Sequence, residues 1–158
     1  METMTVESGP EAGAENAALG IAVGDAVRFA KTVGETDVYL FAGITGDFAA
    51  NHVNEEAMRG TSFGGRIAHG ALLVGYMSTC STMIARKAAE GGGGGVPLSL
   101  GFDRIRFLKP VHLGDTVTLD YVIAEIDTPR RRARGAITVR NQHGETVAVA
   151  DHLLKWAL

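Results

Sequence analysis

The longest apolar stretch of the chain predicts a helix over residues 69–89. Its apolar residues cover almost every face of such a helix, which is typical of a helix in the middle of a protein. At about 1.5 Å per residue, some 20 residues span about 30 Å, the width of a small domain. His69 and several hydroxyl residues interrupt the apolar run, and this argues against a membrane span. We therefore expect a long helix buried inside a globular domain.

The second half of the chain alternates apolar and polar residues with the period of two that half-buried strands have. A change of phase near Asp103 predicts a β-bulge in the first strand of this half. The same alternation, at Val27 and Phe29, predicts one earlier strand. The predicted strands are residues 22–33, 97–107, 116–126, 132–139 and 146–156, and the predicted turns of the second half are residues 113–115, 127–129 and 141–144.

Helices are predicted between the first strand and the long helix. Thr36 or Asp37 can cap a helix that Gly46 ends, because glycine tolerates the left-handed conformation common just past a helix. Asn54 begins a second, short helix, and residues 61–66 form a glycine-rich loop. Together these elements predict an α+β fold in which an antiparallel sheet packs on one long helix.

Length and composition describe one ordinary globular domain. The 158 residues fit a single domain at residues 22–158 after a flexible tail of residues 1–21, and the glycine run at residues 91–95 is predicted to be an unstructured connector. The net charge of −3 argues against a nucleic-acid partner, which normally requires a basic balance. The single cysteine, Cys80, favours a reducing, cytoplasmic setting and a buried apolar role, and the first residues lack the basic region of a signal peptide.

Asp47 and His52 are the candidates for proton transfer. Side chains five residues apart on an unbroken helix diverge by about 140°, so the chain must break after Gly46 for the pair to converge. A converging carboxylate and imidazole can share one bound water and serve as general acid and base. The alternative is structural, with Asp47 capping a helical turn and His52 packed under a loop.

Gly70 is the candidate for stabilising negative charge. It opens the long helix, where backbone N–H groups lack a helical acceptor and the helix dipole favours an anion. The alternative is a glycine required only for tight packing. For His69, a structural role that fixes the loop is favoured over a third catalytic role. Asp47, His52 and His69 lack the close spacing or the cysteines of usual zinc sites, so no metal is predicted.

Three motifs of the chain resemble those of the MaoC-like, R-specific enoyl-CoA hydratases. The motifs are Asp47-x4-His52, Phe63-Gly64-Gly65-Arg66-Ile67-Ala68-His69-Gly70 and Phe107-x-Lys109-Pro110-Val111-x-x-Gly114-Asp115. The resemblance implies a hot-dog fold, in which a curved antiparallel sheet wraps a long helix. It also implies a homodimer that holds the acyl chain between sheet and helix. Members of this family add water reversibly to a trans-2-enoyl thioester and give the R-3-hydroxyacyl product.

The chain departs from the family pattern at two places. The family motif is Asp-x-Asn-Pro-x-His, whereas Ala49 and Ala50 stand here at the third and fourth places and Asn51 stands beside His52. Many relatives carry a serine six residues after the histidine of the His-Gly pair, where this chain has Gly75. The acid–base pair keeps its spacing, so the reaction class is retained. Gly75 removes bulk and would admit branched or longer acyl groups.

The resemblance implies a hydratase or dehydratase that acts on acyl-CoA, or on an acyl carrier protein thioester, without a cofactor or a membrane partner. Asp47 and His52 would be catalytic, and the Gly70 N–H would bind the thioester oxygen. Arg66 would contact a CoA phosphate or form a salt bridge, and both assignments stay open. The basic cluster at residues 130–134 would meet phosphates or an acidic carrier protein, or it would be a solvated hairpin, which is favoured.

Two other functions stay open. Hot-dog thioesterases often draw a carboxylate from the long helix, but no Asp or Glu occurs between His69 and Ala89 here, and this argues against that activity. The other function is a non-catalytic subunit that binds acyl groups or stabilises a heterodimer. Retention of Asp47 and His52 argues against such a subunit, whereas the altered asparagine keeps it open.

Overall fold

A computed structural model describes residues 18–158 of the chain. Its elements follow the predicted order, with one strand, a helical segment, one long helix and four further strands. The helices are α1 (Glu35–Thr45), α2 (Ala50–Val53), α3 (Glu55–Arg59) and α4 (Gly70–Glu90). The strands are β1 (Ala26–Thr32), β2 (Val96–Phe107), β3 (Thr116–Asp127), β4 (Arg132–Arg140) and β5 (Thr146–Ala157).

The five strands form one antiparallel sheet in the order β1–β3–β4–β5–β2. The predicted hairpins join β3 to β4 and β4 to β5, while β1 and β2 lie at opposite edges. Tyr121 on β3 lies opposite Ile137 on β4, and Ile137 lies opposite Ala150 on β5, so these side chains share one face. That face is the inner one, because all three residues are buried in the core.

The long helix α4 packs its buried side against this inner face. Leu73, Met77, Cys80 and Ile84 on α4 belong to one buried cluster with the strand residues. A long helix held by a curved antiparallel sheet is the hot-dog arrangement, and the predicted fold is confirmed. The prediction that α4 is buried on every side is wrong for the single chain, because a stripe of small residues is exposed. This small-residue stripe comprises Ala71, Gly75, Ser78, Thr79 and Thr82.

Capping residues set the ends of the helices around the site. α1 begins after Gly34, and not at a Thr36 or Asp37 cap; the Asp37 carboxylate instead accepts the Gly34 N–H from the first turn at 2.8 Å. Gly46 ends α1 in the left-handed conformation, with φ of 80°, as predicted. Asn54 caps α3 through its side-chain oxygen, also as predicted. The short helix α2 was not predicted.

The glycine run after α4 is ordered, so the prediction of an unstructured connector at residues 91–95 is wrong. The Gly93 N–H donates to the carbonyl oxygen of Ala88 at 2.9 Å. A Cβ atom at Gly20 would lie 2.0 Å from that same oxygen, so only glycine allows the two segments to approach so closely. The composition of the run is that of a flexible linker, but its glycines allow close backbone packing.

The packed domain begins before residue 22. Residues 1–17 of the predicted tail lie outside the described residues. Of the following residues, Leu19 and Ile21 are buried in the core. The Gly94 N–H donates to the carbonyl oxygen of Ala18 at 3.2 Å and ties this segment to the end of α4. The predicted boundary is therefore several residues too late.

The edge strand β2 carries the predicted bulge. Its pairing with β5 changes register between Asp103 and Arg106, and Arg104 has a left-handed φ of 52°. A second change of register, between Ser99 and Gly101, was not predicted. Bulges bend and twist a strand at a sheet edge. The exposed apolar residues along this edge are Val96, Leu98 and Leu100.

One polar cluster lies inside the core. His152 is fully buried, with Nε2 2.8 Å from Ser99 Oγ and Nδ1 3.0 Å from the Tyr121 hydroxyl. Its ring stacks on Phe102 at 4.5 Å between ring centres. Gly135 makes room for Tyr121, because a Cβ atom there would lie 2.1 Å from the tyrosine ring. Burial lowers the pKa of His152 to about 4, so this imidazole is neutral at pH 7.

The buried apolar residues of α4 pack in the protein core. Cys80 is fully buried on α4, as its apolar surroundings predicted, and burial raises the pKa of its thiol to about 11. The thiol is therefore protonated at pH 7 and behaves as a small apolar side chain. None of the helices in residues 18–158 has the length and hydropathy required to cross a membrane.

Candidate active site

The chain break after α1 brings the predicted proton-transfer pair together. α1 ends at Gly46, Asp47 lies in the loop that follows, and His52 lies on the short helix α2. His69 occupies the N-cap position of α4, without a capping hydrogen bond from its side chain. One side-chain nitrogen or oxygen from each of Asp47, His52 and His69 lies within 4.8 Å of the others. The break that convergence requires is thus present in the fold.

The hydrogen bonds of His52 indicate which of its ring nitrogens carries the hydrogen. Its Nδ1 lies 2.8 Å from the carbonyl oxygen of Ile67, which can only accept, so Nδ1 carries the hydrogen. In the neutral ring, Nε2 then holds a lone pair. The side-chain amide of Asn51 lies 3.1 Å from this nitrogen and donates to it. His52 is 8% exposed, and contacts at both nitrogens fix the orientation of its ring.

His69 connects Asp47 with His52. Its Nε2 donates to the backbone carbonyl of Asp47 at 2.9 Å. Its ring stacks on that of His52, with 3.8 Å between ring centres, and packs against Phe41 on the other side. The buried Nδ1 of His69 has no hydrogen-bond partner among the described residues. These contacts support the structural role, in which His69 fixes the loop and seats the His52 ring.

The Asp47 carboxylate is the solvated member of the group. Its side chain is 51% exposed, and Oδ2 lies 4.0 Å from His69 Nε2. Oδ1 accepts the Ala49 N–H at 3.3 Å, a contact within the loop. Apart from that contact, no described residue donates a hydrogen bond to the Asp47 carboxylate.

Residue types alone would let Asp47, His52 and His69 bind a transition-metal ion. Ring stacking argues against one shared ion, because the two imidazole planes differ by only 28° and the ring centres lie 3.8 Å apart. The lone pairs lie in those planes, so they run side by side and do not converge on a point about 2.1 Å from both. The arrangement suits proton transfer better than metal ligation.

A cavity of about 360 Å³ opens beside this group. Asn51 and His52 supply part of its wall, and Gly70 and Leu73 supply the first turn of α4. Asp47 is not among the lining residues and lies at the side. The rest of the lining is mostly apolar and consists of Phe63, Ile67, Ala68, Phe107, Leu108, Lys109, Pro110 and Val111.

Gly70 lies at the start of α4 and in the wall of the cavity. As the first residue of α4 it carries an N–H without a helical acceptor, and it lines the cavity. A Cβ atom at this position would lie 2.6 Å from the Phe107 ring. Glycine is therefore needed for packing against Phe107.

Arg66 forms salt bridges, the second of its two predicted assignments. Its guanidinium contacts Glu35 at 2.6 Å and Glu55 at 3.2 Å, and only 13% of its side chain is exposed. The Arg66 backbone N–H also donates to Glu55, and together with the guanidinium it lowers the pKa of that carboxyl. The three side chains link α1, α3 and the loop before α4, and Arg66 is not among the cavity-lining residues.

The structure does not bring two further candidate groups to the cavity. Gly75 lies on the exposed small-residue stripe of α4, with nothing within 4 Å of an added Cβ atom. The basic cluster lies at the β3–β4 hairpin, where Arg130 pairs with Asp127 and Arg134 with Asp151. Arg131 donates to backbone carbonyls. These contacts support the hairpin interpretation of residues 130–134.

Sequence reasoning missed the opposite wall of the cavity. Phe107, Leu108 and Lys109 come from the end of β2 and the segment after it. Lys109 is half-exposed and pairs with Glu145 at 2.5 Å. Phe107 and Lys109 belong to the third motif noted above, but the sequence does not indicate that this motif folds against the start of α4. Asn51, which we counted as out of place, also lines the cavity.

Fold and site together define a hot-dog protein with a carboxylate and an imidazole at the N-terminus of its central helix. Residues 17–146 match the family model described as MaoC like domain, and the chain belongs to that family. The unliganded R-hydratase PhaJ1 of Pseudomonas aeruginosa has a similar structure, with a TM-score of 0.74 and 29% identity. That similarity covers 86% of this chain and 82% of the hydratase.

Two relatives by sequence carry names of hydro-lyases. An (R)-specific enoyl-CoA hydratase of Rhodospirillum rubrum is 40% identical over 95 residues, which are 60% of each chain. A 3-hydroxybutyryl-CoA dehydratase of Methylorubrum extorquens is 37% identical over 108 residues, which are 68% of this chain and 64% of the relative. The chain thus spans less than two thirds of the length of either relative.

Proposed function

We propose that this protein catalyses the reversible hydration of a trans-2-enoyl-CoA to the (R)-3-hydroxyacyl-CoA. The observation that carries the proposal is His52 in the wall of a mostly apolar cavity, with its Nδ1 held 2.8 Å from the carbonyl oxygen of Ile67 so that Nε2 is the nitrogen left for chemistry. The Asp47 carboxylate and the first turn of α4 lie beside it. Membership of the MaoC-like family, and the activities named for its two relatives, support the proposal.

The geometry supports a one-face addition. A water oxygen attacks the β-carbon while one of its protons passes to His52 Nε2, and the Asp47 carboxylate holds the other hydrogen of the water. The electrons of the double bond move to the thioester oxygen, which gains enolate character. The His52 imidazolium then returns its proton to the α-carbon. The thioester itself activates the double bond, so acid–base chemistry suffices and the reaction needs no cofactor.

The Gly70 N–H is assigned to the thioester oxygen. It lies in the first turn of α4, where the helix dipole favours negative charge. Leu73 and Phe107 make its surroundings apolar, and a hydrogen bond to a developing oxyanion is stronger there than in water. This N–H also holds the acyl group in place, so the enoyl group presents one face to His52.

Lys109 supports a substrate whose carrier bears phosphate. It is the charged side chain among the described cavity-lining residues, and it is half-exposed and paired with Glu145. Both CoA and the prosthetic arm of an acyl carrier protein carry phosphate, and we assign CoA as the carrier. We propose a cytoplasmic location on the strength of Cys80, which is reduced and buried.

Hydration of crotonyl-CoA in heavy water tests the proposed function. We expect loss of the enoyl absorbance and formation of (R)-3-hydroxybutyryl-CoA. The deuterium at the α-carbon should be syn to the new hydroxyl, because water and His52 act on the same face. An S product or anti addition would falsify the proposed geometry, and absence of turnover would refute the activity itself.

A non-catalytic acyl-binding subunit is the second candidate, and the contact between Asn51 and His52 Nε2 favours it, because the amide occupies the nitrogen that must accept the proton. Such a subunit would bind saturated acyl-CoA without hydrating crotonyl-CoA. Thioesterase activity has less support, since α4 holds no carboxylate before Glu90.

We also propose a homodimer formed through β2 and the exposed side of α4. Among residues 18–158, β2 is an edge strand with no partner on its outer side. It carries the apolar residues Val96, Leu98 and Leu100, and an edge of this kind readily pairs with a second strand. The small-residue stripe of α4 would let a second helix approach closely. Sedimentation equilibrium at micromolar concentration should give a dimer, and Leu98→Lys should shift it toward monomer. A monomeric wild-type protein contradicts this assembly.

A further inference from the structure

We propose that Asn51 is a positioning residue. Its side-chain amide hydrogen-bonds His52 Nε2 in the resting protein and releases this nitrogen when the reacting water binds. This inference rests on the proposed hydratase function. Its starting point is the Ile67 carbonyl, which fixes the hydrogen of His52 on Nδ1. An unprotonated Nε2 can only accept, so the Asn51 side chain must turn its NH₂ group toward the ring.

The amide comes from a position that the family motif does not use. Ala49 replaces the asparagine of the motif and has no polar side chain. Asn51 directly precedes His52 on α2 and lines the same cavity, so its amide reaches the ring from the cavity side. The chain thus lacks an asparagine at position 49, and Asn51, two residues later, places an amide at the histidine.

The same amide can serve before and during the reaction. In the resting protein its N–H stabilises the neutral form of His52, the form that can accept a proton. When water enters, an O–H of the water takes over Nε2, and the amide N–H moves to one lone pair of the water oxygen. The second lone pair attacks the β-carbon. Asn51 therefore selects the protonation state of His52 and then orients the nucleophile.

Two replacements of Asn51 test this role, with hydration of crotonyl-CoA followed as a function of pH. Asn51→Leu removes the donor, and Asn51→Asp supplies a carboxylate that pairs only with a protonated ring. The acid-side midpoint of the kcat/KM profile should rise by about half to one pH unit in Asn51→Leu, and further in Asn51→Asp. At neutral pH, kcat of Asn51→Leu should fall about tenfold with little change in KM.

Asn54→Asp is the matched control. It adds the same charge three residues after Asn51 and keeps the oxygen that caps α3, and the side chain of Asn54 makes no hydrogen bond to the His52 ring. The Asp47 carboxylate and His69 also face His52, but they are unchanged in all variants. Asn54→Asp should therefore keep the wild-type profile. A wild-type midpoint in Asn51→Leu, or equal shifts in the two aspartate variants, would overturn the proposal.

Nitrogen-15 NMR of the His52 ring separates this inference from the proposed function. In the wild-type protein Nε2 should show the shift of a hydrogen-bonded, unprotonated nitrogen, and Asn51→Leu should move that signal while Nδ1 stays protonated. This measurement does not require turnover, so it tests the contact even if crotonyl-CoA is not hydrated. An unchanged Nε2 signal in Asn51→Leu would refute the contact.

Discussion

His52→Ala is expected to lower turnover of crotonyl-CoA at least ~100-fold, the lower end of what a positioned acid or base contributes. The reason is that His52 Nε2 is the unprotonated nitrogen in the cavity wall, and no other imidazole nitrogen lines the cavity among the described residues. Binding of a saturated acyl-CoA should change little, because the apolar walls and the Gly70 N–H are untouched. The measurements are steady-state hydration and calorimetric binding of butyryl-CoA.

Asp47→Asn should have an effect of similar size, at least ~100-fold on turnover. An amide keeps the shape of the side chain and its contact with the Ala49 N–H but cannot hold water as a carboxylate does. His143→Ala is the control matched to His52→Ala. His143 is exposed in the β4–β5 turn, so this variant should keep the wild-type rate. If either site variant keeps more than half of the wild-type activity, the role assigned to that residue is wrong.

Most of the fold follows from the sequence because its strongest signals are local. The four strands of the second half begin and end within one residue of their predicted bounds, since alternation and turn residues define them. The glycine run at residues 91–95 was mispredicted, because its order comes from contact with residues 18–21 and not from its own composition. The exposed side of α4 also escaped prediction, since small residues such as Ala71 and Gly75 occur both in cores and on surfaces.

The candidate site was predictable in its residues but not in its hydrogen bonds. The chain break predicted after Gly46, together with the flanking motifs, led us to expect that Asp47 and His52 converge, and the two side chains do lie close together. The proton on His52 depends on the Ile67 carbonyl, 15 residues later, and such long-range backbone contacts leave no mark in a motif. The packing of Phe107 against Gly70 likewise depends on how the end of β2 meets α4. Local motifs therefore indicate the candidate groups, and the fold determines their hydrogen bonds and access.

Acidification should destabilise the protein through His152, a residue outside the candidate site. This imidazole is buried between Tyr121 and Ser99, and its pKa is lowered to about 4 from an ordinary value of 6.5. Below pH 6.5 the unfolded chain binds a proton that the folded protein does not, so the free energy of unfolding falls as the pH drops. The fall continues until about pH 4, where the folded protein also binds the proton.

The expected loss between pH 6.5 and pH 4 is roughly 3 kcal/mol, from the difference between the two pKa values at about 1.4 kcal/mol per unit. His152→Gln keeps an uncharged hydrogen-bonding side chain and cannot titrate, so its unfolding free energy should lack this component. Urea unfolding at several pH values measures the difference between the two proteins, and carboxylates common to both cancel in it. Equal pH dependence of wild type and His152→Gln would show that burial does not keep His152 neutral.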